Sequence, residues 1–450
     1  MDKKLHIVSL GCAKNLVNTE QMLAALLSAG YEYNDDPEEA DIIIVNTCAF
    51  IEDAKQESID NILELAELKN TGALLGLVVT GCLSQRYGEE LLREMPEVDA
   101  ILGTGSYQDI VEVCDQLIAD AEAGCMKKIV RMGDIDAELC EAPRVQTTPE
   151  YTAYLKIAEG CDNHCAYCVI PSIRGRLRSR SMDAIVDEAR NLVANGVREL
   201  VVVAQDLTAY GTDLYGKRSL AELLNRLCEI EDVRWIRLHY LYPDEMDEEL
   251  IDVIAKQPKI VKYLDIPIQH VSDRILKAMN RRYTRTELEQ LIKKLRRMIP
   301  KLVLRTTVIV GLPGETDDEF AELCSFMQRM KFQRAGVFKY SREEGTIAAD
   351  MPDQIDEDVK IRRQDALVEI ENRVIDKYNT SMFGHKIEVL VEGYDRTAGC
   401  YYSRSYGESL DIDGKIFFTS EKLRPQPGEF VTVCITDEID GDLIGELVAD

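Results

Sequence analysis

Three cysteines stand within one short stretch, Gly160-Cys161-Asp-Asn-His164-Cys165-Ala-Tyr167-Cys168, with the spacing Cys-x3-Cys-x2-Cys. Three thiolates on so short a loop can wrap one cubane 4Fe-4S cluster and leave its fourth iron without a protein ligand. An open iron is what a cluster needs to bind and reduce a substrate. A structural zinc site prefers four protein ligands and usually comes as paired Cys-x2-Cys knuckles, so the spacing favours iron and sulfur. His164 is read as a loop residue and not as a ligand.

A second set is spread along the first third of the chain. Three apolar runs end Ser9-Leu10-Gly11-Cys12, Val45-Asn46-Thr47-Cys48 and Val79-Thr80-Gly81-Cys82. If these runs are neighbouring parallel strands, about 4.8 Å apart, their ends lie on the carboxyl edge where open sheets bind ligands. Three thiols there can converge on a second cluster, again with no fourth partner. Cysteines also favour buried positions, but three in the same register exceed what burial alone produces. The other seven (Cys114, Cys125, Cys140, Cys228, Cys324, Cys400, Cys434) show no such spacing and are read as structural.

The elements that must position these thiols follow from hydrophobic patterning. His6–Leu10, Asp41–Val45 and Leu75–Val79 read as strands, apolar throughout, separated by helices at 18–29 and 53–68. That pattern predicts a doubly wound parallel sheet covered on both faces. Two prolines and a Thr pair near 141–149 mark a linker. A second βα series follows, with strands expected at 154–158, 199–204, 235–239, 262–266, 303–310 and 335–340. Six strands are too few to close an eight-stranded barrel, so an open, partial βα barrel is predicted, with its chemistry at the carboxyl ends. A long helix is expected over 356–378. Five short strands after Gly384 predict a small antiparallel barrel. The fold class is therefore α/β with a small β domain, divided as 1–140, a linker at 141–150, 151–375 and 376–450.

Composition narrows the function classes. The chain of 450 residues carries 53 Lys and Arg against 81 Asp and Glu, a net charge of −28. That balance argues against an extensive nucleic-acid footprint and favours a basic partner. The sequence has no apolar run long enough to span a membrane and begins without the apolar core of a signal peptide, so a cytoplasmic location is expected. Thirteen cysteines in a reducing compartment point to metal or catalytic thiolates in preference to disulfides.

The Cys161–Cys168 motif, with Tyr167 before its last cysteine and a partial barrel behind it, resembles the radical S-adenosylmethionine superfamily. The resemblance implies that S-adenosylmethionine chelates the open iron and is cleaved by one electron to a 5′-deoxyadenosyl radical. It also implies cofactor contacts from Gln205 and Asp206 at the end of one strand and from Gly311, Gly314 and Glu315 at the end of another. In that second stretch Thr307 stands where glycine is usual. Read from the residues alone, Asp206 and Glu315 are equally consistent with solvated surface; Gly311-Leu-Pro-Gly314 could be a bare turn, but its place at the carboxyl end of a barrel strand favours the functional reading. Arg178, Arg180, Gln269 and His270 are further pocket candidates.

Taken whole, the chain looks like the methylthiotransferases: an N-terminal cluster domain, a radical S-adenosylmethionine barrel and a TRAM domain. Members of the tRNA branch typically carry Gly-Cys-Gln-Met-Asn at the first cysteine, whereas this chain has Gly11-Cys12-Ala-Lys14-Asn15. Ala49-Phe-Ile-Glu-Asp-Ala54, Leu238-His-Tyr-Leu-Tyr-Pro-Asp244 and Asp265-Ile-Pro-Ile-Gln-His270 are likewise similar to the RimO branch. That branch modifies the β-carbon of an aspartate in small-subunit ribosomal protein S-twelve. The resemblance implies two 4Fe-4S clusters, on Cys161, Cys165, Cys168 and on Cys12, Cys48, Cys82. One S-adenosylmethionine would be the methyl donor and a second the radical source, and a flavodoxin or ferredoxin would supply electrons. A tRNA adenosine methylthiotransferase and a non-catalytic iron–sulfur scaffold are the alternatives. The last 74 residues hold 7 basic against 14 acidic side chains, which suits a basic protein partner better than RNA but also fits an ordinary solvated surface.

Overall fold

The computed structural model describes residues 3–71 and 74–448. In the first unit, β1 (Lys3–Ser9), β2 (Tyr31–Tyr33), β3 (Ile42–Thr47), β4 (Gly76–Gly81), β5 (Ala100–Leu102) and β6 (Ile129–Arg131) form one parallel sheet ordered β2-β1-β3-β4-β5-β6. Ile42 to Val45 and Leu77 to Val79 are fully buried, as expected of strands covered on both faces. The sheet is wider than the three strands predicted. β2, β5 and β6 are three residues each, too short to show a hydrophobic period.

From Thr152 the chain builds β7 (Thr152–Lys156), the short pair β8 (Ala158–Glu159) and β9 (Arg178–Ser179), then β10 (Glu199–Val203), β11 (Trp235–Leu238), β12 (Ile260–Asp265), β13 (Val303–Val310) and β14 (Arg334–Lys339). The large sheet runs β14-β13-β12-β11-β10-β7, parallel and open, so the expectation of six strands in a partial barrel holds. Leu155, Leu200, Val202, Ile236, Leu238, Leu264 and Leu304 pack into the outer core with the surrounding helices. Several of the strand residues between these are polar and buried, including Glu199, Arg237 and Asp265, and Arg334 begins β14.

The C-terminal unit is a closed five-stranded barrel of β15 (Lys386–Asp395), β16 (Cys400–Ser405), β17 (Ile416–Thr419), β18 (Phe430–Ile439) and β19 (Asp442–Leu447). It is not wholly antiparallel, because β17 and β19 close it along a parallel seam. Tyr401 is a core residue of this barrel, stacked on Phe418. This barrel covers the amino ends of the large sheet. Arg404 and Arg237 pair with the buried Glu199 at 2.8 and 2.9 Å, and those two guanidinium groups outweigh its burial and hold its carboxyl at about 2. Arg334 pairs with Glu408 at 2.8 Å, and Trp235 packs edge-on to Phe430. The amino ends are thus filled and the carboxyl ends left for chemistry. Among the described residues no helix is long and apolar enough to cross a membrane.

The helix Glu357–Ser381 packs along β14 and the helix Asp317–Met330. On it, Glu371 is 2% exposed, and among the described residues neither carboxylate oxygen has a hydrogen-bond partner. Burial pushes its carboxyl up from 4.5 to about 7. The folded state therefore holds this proton more tightly than the unfolded chain, and stability is lost as pH rises from about 4.5 through about 7. Glu371→Gln is expected to stabilise the protein at pH 8 by on the order of 3 kcal/mol, with most of the gain gone at pH 5. Denaturant midpoints of the two proteins at both pH values measure this.

Candidate active site built on two cysteine triads

The Cys161–Cys168 loop leaves β8 and returns through the helix Ile170–Arg174 to β9, so the antiparallel β8–β9 pair closes its base. The amide N–H of Cys161 donates to Gly175 O at 3.1 Å, and that of Ala166 to Met279 O at 3.0 Å. Gly160 adopts φ +77°, and a Cβ there would lie 2.0 Å from the Arg176 carbonyl, so only glycine fits before the first cysteine. Asn163 donates to Asp206 at 2.6 Å, and Arg282 donates to Asn163 at 3.0 Å. The side chain of Asp206, 2% exposed, also accepts from the backbone of Thr208 at 3.0 Å.

The donor set fits a cluster bound by three thiolates. The amides of Asn163 and Ile170 donate to the sulfurs of Cys161 and Cys168 at 3.4 and 3.5 Å. Cys165 Sγ lies 4.0 Å from the Tyr242 hydroxyl. Burial pushes the thiols of Cys161 and Cys168 up to about 12, so each would be protonated at neutral pH without a metal to favour its thiolate. Arg281 lies behind the loop, 9% exposed, 4.3 Å from the Tyr242 ring and donating to the Tyr167 hydroxyl at 3.0 Å.

The strand-end cysteines also converge. The last paired residues of β3 and β4 are Thr47 and Gly81, which leaves Cys48 and Cys82 side by side. Ser9 pairs with Asn46, and a Cβ on Gly11 would lie 2.7 Å from Cys48 Cβ, which brings the β1 end onto the same spot. Gly81 needs its φ of +93°, because a Cβ there would lie 2.7 Å from Thr47 O. Asn15 ties the ends together, donating to Leu10 O at 3.0 Å and Thr47 O at 2.9 Å. Burial raises Cys48 to about 12 and raises Cys82 against the pull of Arg174. Burial also raises Cys12, but Lys14 and Arg174 outweigh it and hold that thiol below its ordinary value. Among the described residues no triad of His, Cys, Asp or Glu is drawn in to the spacing of a single ion, whereas a cubane offers each cysteine a separate iron.

One side chain joins the two sets. Arg174, 3% exposed, comes from the helix after the Cys161–Cys168 loop and reaches the N-terminal sheet. It donates to Cys82 Sγ at 3.4 Å, to Asn15 Oδ1, and to Glu159 at 3.2 Å. Glu159 also pairs with Lys156 at 3.0 Å and accepts from Gln205 Nε2 at 2.5 Å. Lys156 in turn donates to Asn18 on the N-terminal helix Ala13–Ser28. The motifs did not reveal Arg174, Glu159 or Lys156, because their roles depend on two units meeting.

The remaining candidates are placed as follows. Gln205 reaches this network, and among the described residues its Oε1 has no partner. Glu315 is 2% exposed, so neither it nor Asp206 is the solvated surface that composition allowed. Its carboxylate accepts from Gly311 N and lies 3.4 Å from Arg363, holding the turn after β13. That turn is tied to the cluster loop because Leu312 and Ala166 share one apolar cluster. Gly314 N donates to Asp353 O at 2.9 Å. Arg180 is occupied by Glu141 and Glu188, and Arg178 donates to the backbone carbonyls of Ala137 and Arg174. Gln269, with φ +64°, bridges to Val308, and His270 is buried 3.7 Å from Glu315. All 13 cysteines are free; of the seven outside the triads, Cys114 is buried while Cys125 and Cys140 are exposed.

Comparison with known proteins places this geometry in context. Residues 155–327 match the radical SAM superfamily, 4–103 the uncharacterized protein family UPF0004, and 383–448 the TRAM domain. Proteins called ribosomal protein uS12 methylthiotransferase RimO are similar over nearly the whole length. One from Lachnoclostridium phytofermentans is 49% identical over 98% of this chain and 99% of its own. One from Geotalea uraniireducens is 51% identical over 99% of this chain and 98% of its own. Among solved structures, the radical S-adenosylmethionine methyltransferase TsrM from Kitasatospora setae superposes with a TM-score of 0.56 at 14% identity, covering 75% of each chain. The radical enzyme OxsB gives 0.52 at 15% identity over 83% of this chain and 56% of that one, and both likenesses are of fold.

Proposed function

Given that the chain belongs to the RimO family of ribosomal protein uS12 methylthiotransferases, we propose that it inserts a methylthio group at the β-carbon of an aspartate of uS12. It uses two S-adenosylmethionine molecules, one as methyl donor and one as radical source, and two 4Fe-4S clusters. Cys161, Cys165 and Cys168 hold the first cluster, and Cys12, Cys48 and Cys82 hold the second. When bound, these groups supply a carbon-centred radical that takes hydrogen from an unactivated C–H bond, and a site from which sulfur is delivered to that carbon.

The observation that carries this reading is the Arg174 bridge. A guanidinium carried on the helix that follows the first triad donates to a sulfur of the second, which supports reading the two sets of thiols as one site. Its positive charge favours thiolate at Cys82, and the Glu159–Lys156 pair keeps it in place. Asn163, Asp206 and Arg282 fix the shape of the cluster loop, while the Glu315 carboxylate fixes the turn at Gly311. Gln205, Asp206, Gly311, Gly314 and Glu315 border the place where S-adenosylmethionine binds, with the free Oε1 of Gln205 available to accept from it. Tyr242 and Tyr283, buried edge to face behind the loop, keep water from that side of it.

A net charge of −28 supports a basic protein substrate, whose approach it steers, over a polyanionic tRNA. The enzyme works in the cytoplasm, draws electrons from a flavodoxin or ferredoxin, and makes no extensive contact with nucleic acid. The test is to incubate the iron-reconstituted protein with uS12, S-adenosylmethionine and a low-potential reductant. Expected are 5′-deoxyadenosine and a uS12 heavier by one methylthio group in place of hydrogen. Formation of methylthiolated tRNA with uS12 unchanged would overturn the reading.

A further inference from the structure

The space between the two triads holds several buried cations, and most are paired. Lys156 and Arg174 share Glu159. Lys14 is different. It stands two residues past Cys12 in the first turn of the helix Ala13–Ser28 and is 8% exposed. Among the described residues its ammonium has no carboxylate within salt-bridge reach and no hydrogen-bond acceptor. Its one close partner is the ring of Tyr240, with Nζ 3.9 Å from the centroid.

A ring face is a weak partner for a buried ammonium. A desolvated cation–π contact contributes about 2 kcal/mol, whereas removing an ammonium from water costs several, so an anion reaching Lys14 Nζ would be a stronger partner than the ring. Tyr240 follows the carboxyl end of β11 with φ +66°, a conformation that costs a non-glycine residue on the order of 1–3 kcal/mol. Strain of that kind persists where surrounding structure imposes it. Here it presents the ring to Lys14 where the carboxyl ends of the two sheets meet. Lys14 follows Cys12 by two residues and packs on Tyr240, so its ammonium lies where the strand-end triad faces the barrel.

We propose that Lys14 binds the side-chain carboxylate of the substrate aspartate and thereby holds its β-carbon beside the strand-end cysteines. The inference rests on the reading that the chain modifies an aspartate of uS12. In aspartate the carboxylate is bonded directly to the β-carbon, so an ion pair at the carboxylate fixes the reacting carbon to within one bond. An adenosine offers no such group. Lys14 is therefore a specificity-determining residue, and an asparagine substrate leaves its ammonium without a counter-charge.

The test measures equilibrium binding of two labelled uS12 loop peptides to the reconstituted enzyme, one with the target aspartate and one with asparagine in its place. A charged hydrogen bond buried in the site predicts that the wild type prefers the aspartate peptide by about tenfold or more. Lys14→Met is expected to bind both peptides equally, and Lys14→Arg to recover part of the preference. A purely structural role for Lys14 would weaken both peptides alike and keep the ratio, which overturns the proposal. So would a loss of S-adenosylmethionine affinity with the peptide preference intact, since that assigns the ammonium to the methionyl carboxylate. If the wild type does not modify uS12, the underlying reading fails and the proposal with it. If it does, and Lys14→Met still distinguishes the peptides, only the role of Lys14 fails.

Discussion

Replacing Cys161, Cys165 and Cys168 together by Ala is expected to remove about four iron atoms per chain and bring 5′-deoxyadenosine formation to background. The loss should be complete because reductive cleavage needs an iron site that nothing else in the barrel offers. The variant should still fold. The loop is held by main-chain bonds from Cys161 N to Gly175 O and from Ala166 N to Met279 O, by the Asn163–Asp206 bond, and by the β8–β9 pair. None of these uses a sulfur. Iron analysis, circular dichroism and chromatography of the nucleoside product check the three parts. An unchanged iron content would remove the cluster assignment from this loop.

Replacing Cys12, Cys48 and Cys82 by Ala should act differently. About four iron atoms are again lost, but S-adenosylmethionine is still cleaved to 5′-deoxyadenosine, and uS12 gains no methylthio group. The separation is expected because the two triads stand on different sheets and meet through Arg174, whose contact with Glu159 survives the loss of Cys82 Sγ. Cys48 and Cys82 lie side by side in register, so removing either one alone should already unseat iron. Survival of sulfur insertion in the triple variant would make the strand-end cysteines structural.

How much of this was legible in the sequence depends on how local each feature is. The Cys-x3-Cys-x2-Cys loop is written in one stretch, so its meaning needs no fold. The strand-end triad was readable because β3 and β4 are apolar runs, β1 carries the apolar pair Ile7-Val8, and each strand is followed by Cys within three residues. The short β2, β5 and β6 could not be read, since three residues carry no period. The parallel seam between β17 and β19 depends on barrel closure, which local patterning does not encode.

The least legible features are the buried charges. Asp206 and Glu315 look like surface residues by type, and only tertiary packing shows that one pins the cluster loop and the other a glycine turn. Arg174, Glu159 and Lys156 sit in ordinary sequence contexts and acquire meaning where the barrel meets the helix Ala13–Ser28. Lys14 was visible within Cys12-Ala-Lys14-Asn15 as a marker separating branches of a family. Its unpaired ammonium against Tyr240 turns that marker into a candidate reader of the substrate.

The claim that two cysteine triads serve one protein-modifying reaction is tested most directly in cells. Mass spectrometry of uS12 and of bulk tRNA nucleosides is compared between a strain with this gene and one lacking it. The account predicts that uS12 from the deleted strain is lighter by one methylthio group, that the missing mass maps to a single aspartate, and that methylthiolated nucleosides are unchanged. A uS12 of unaltered mass together with the loss of a methylthiolated nucleoside would contradict it.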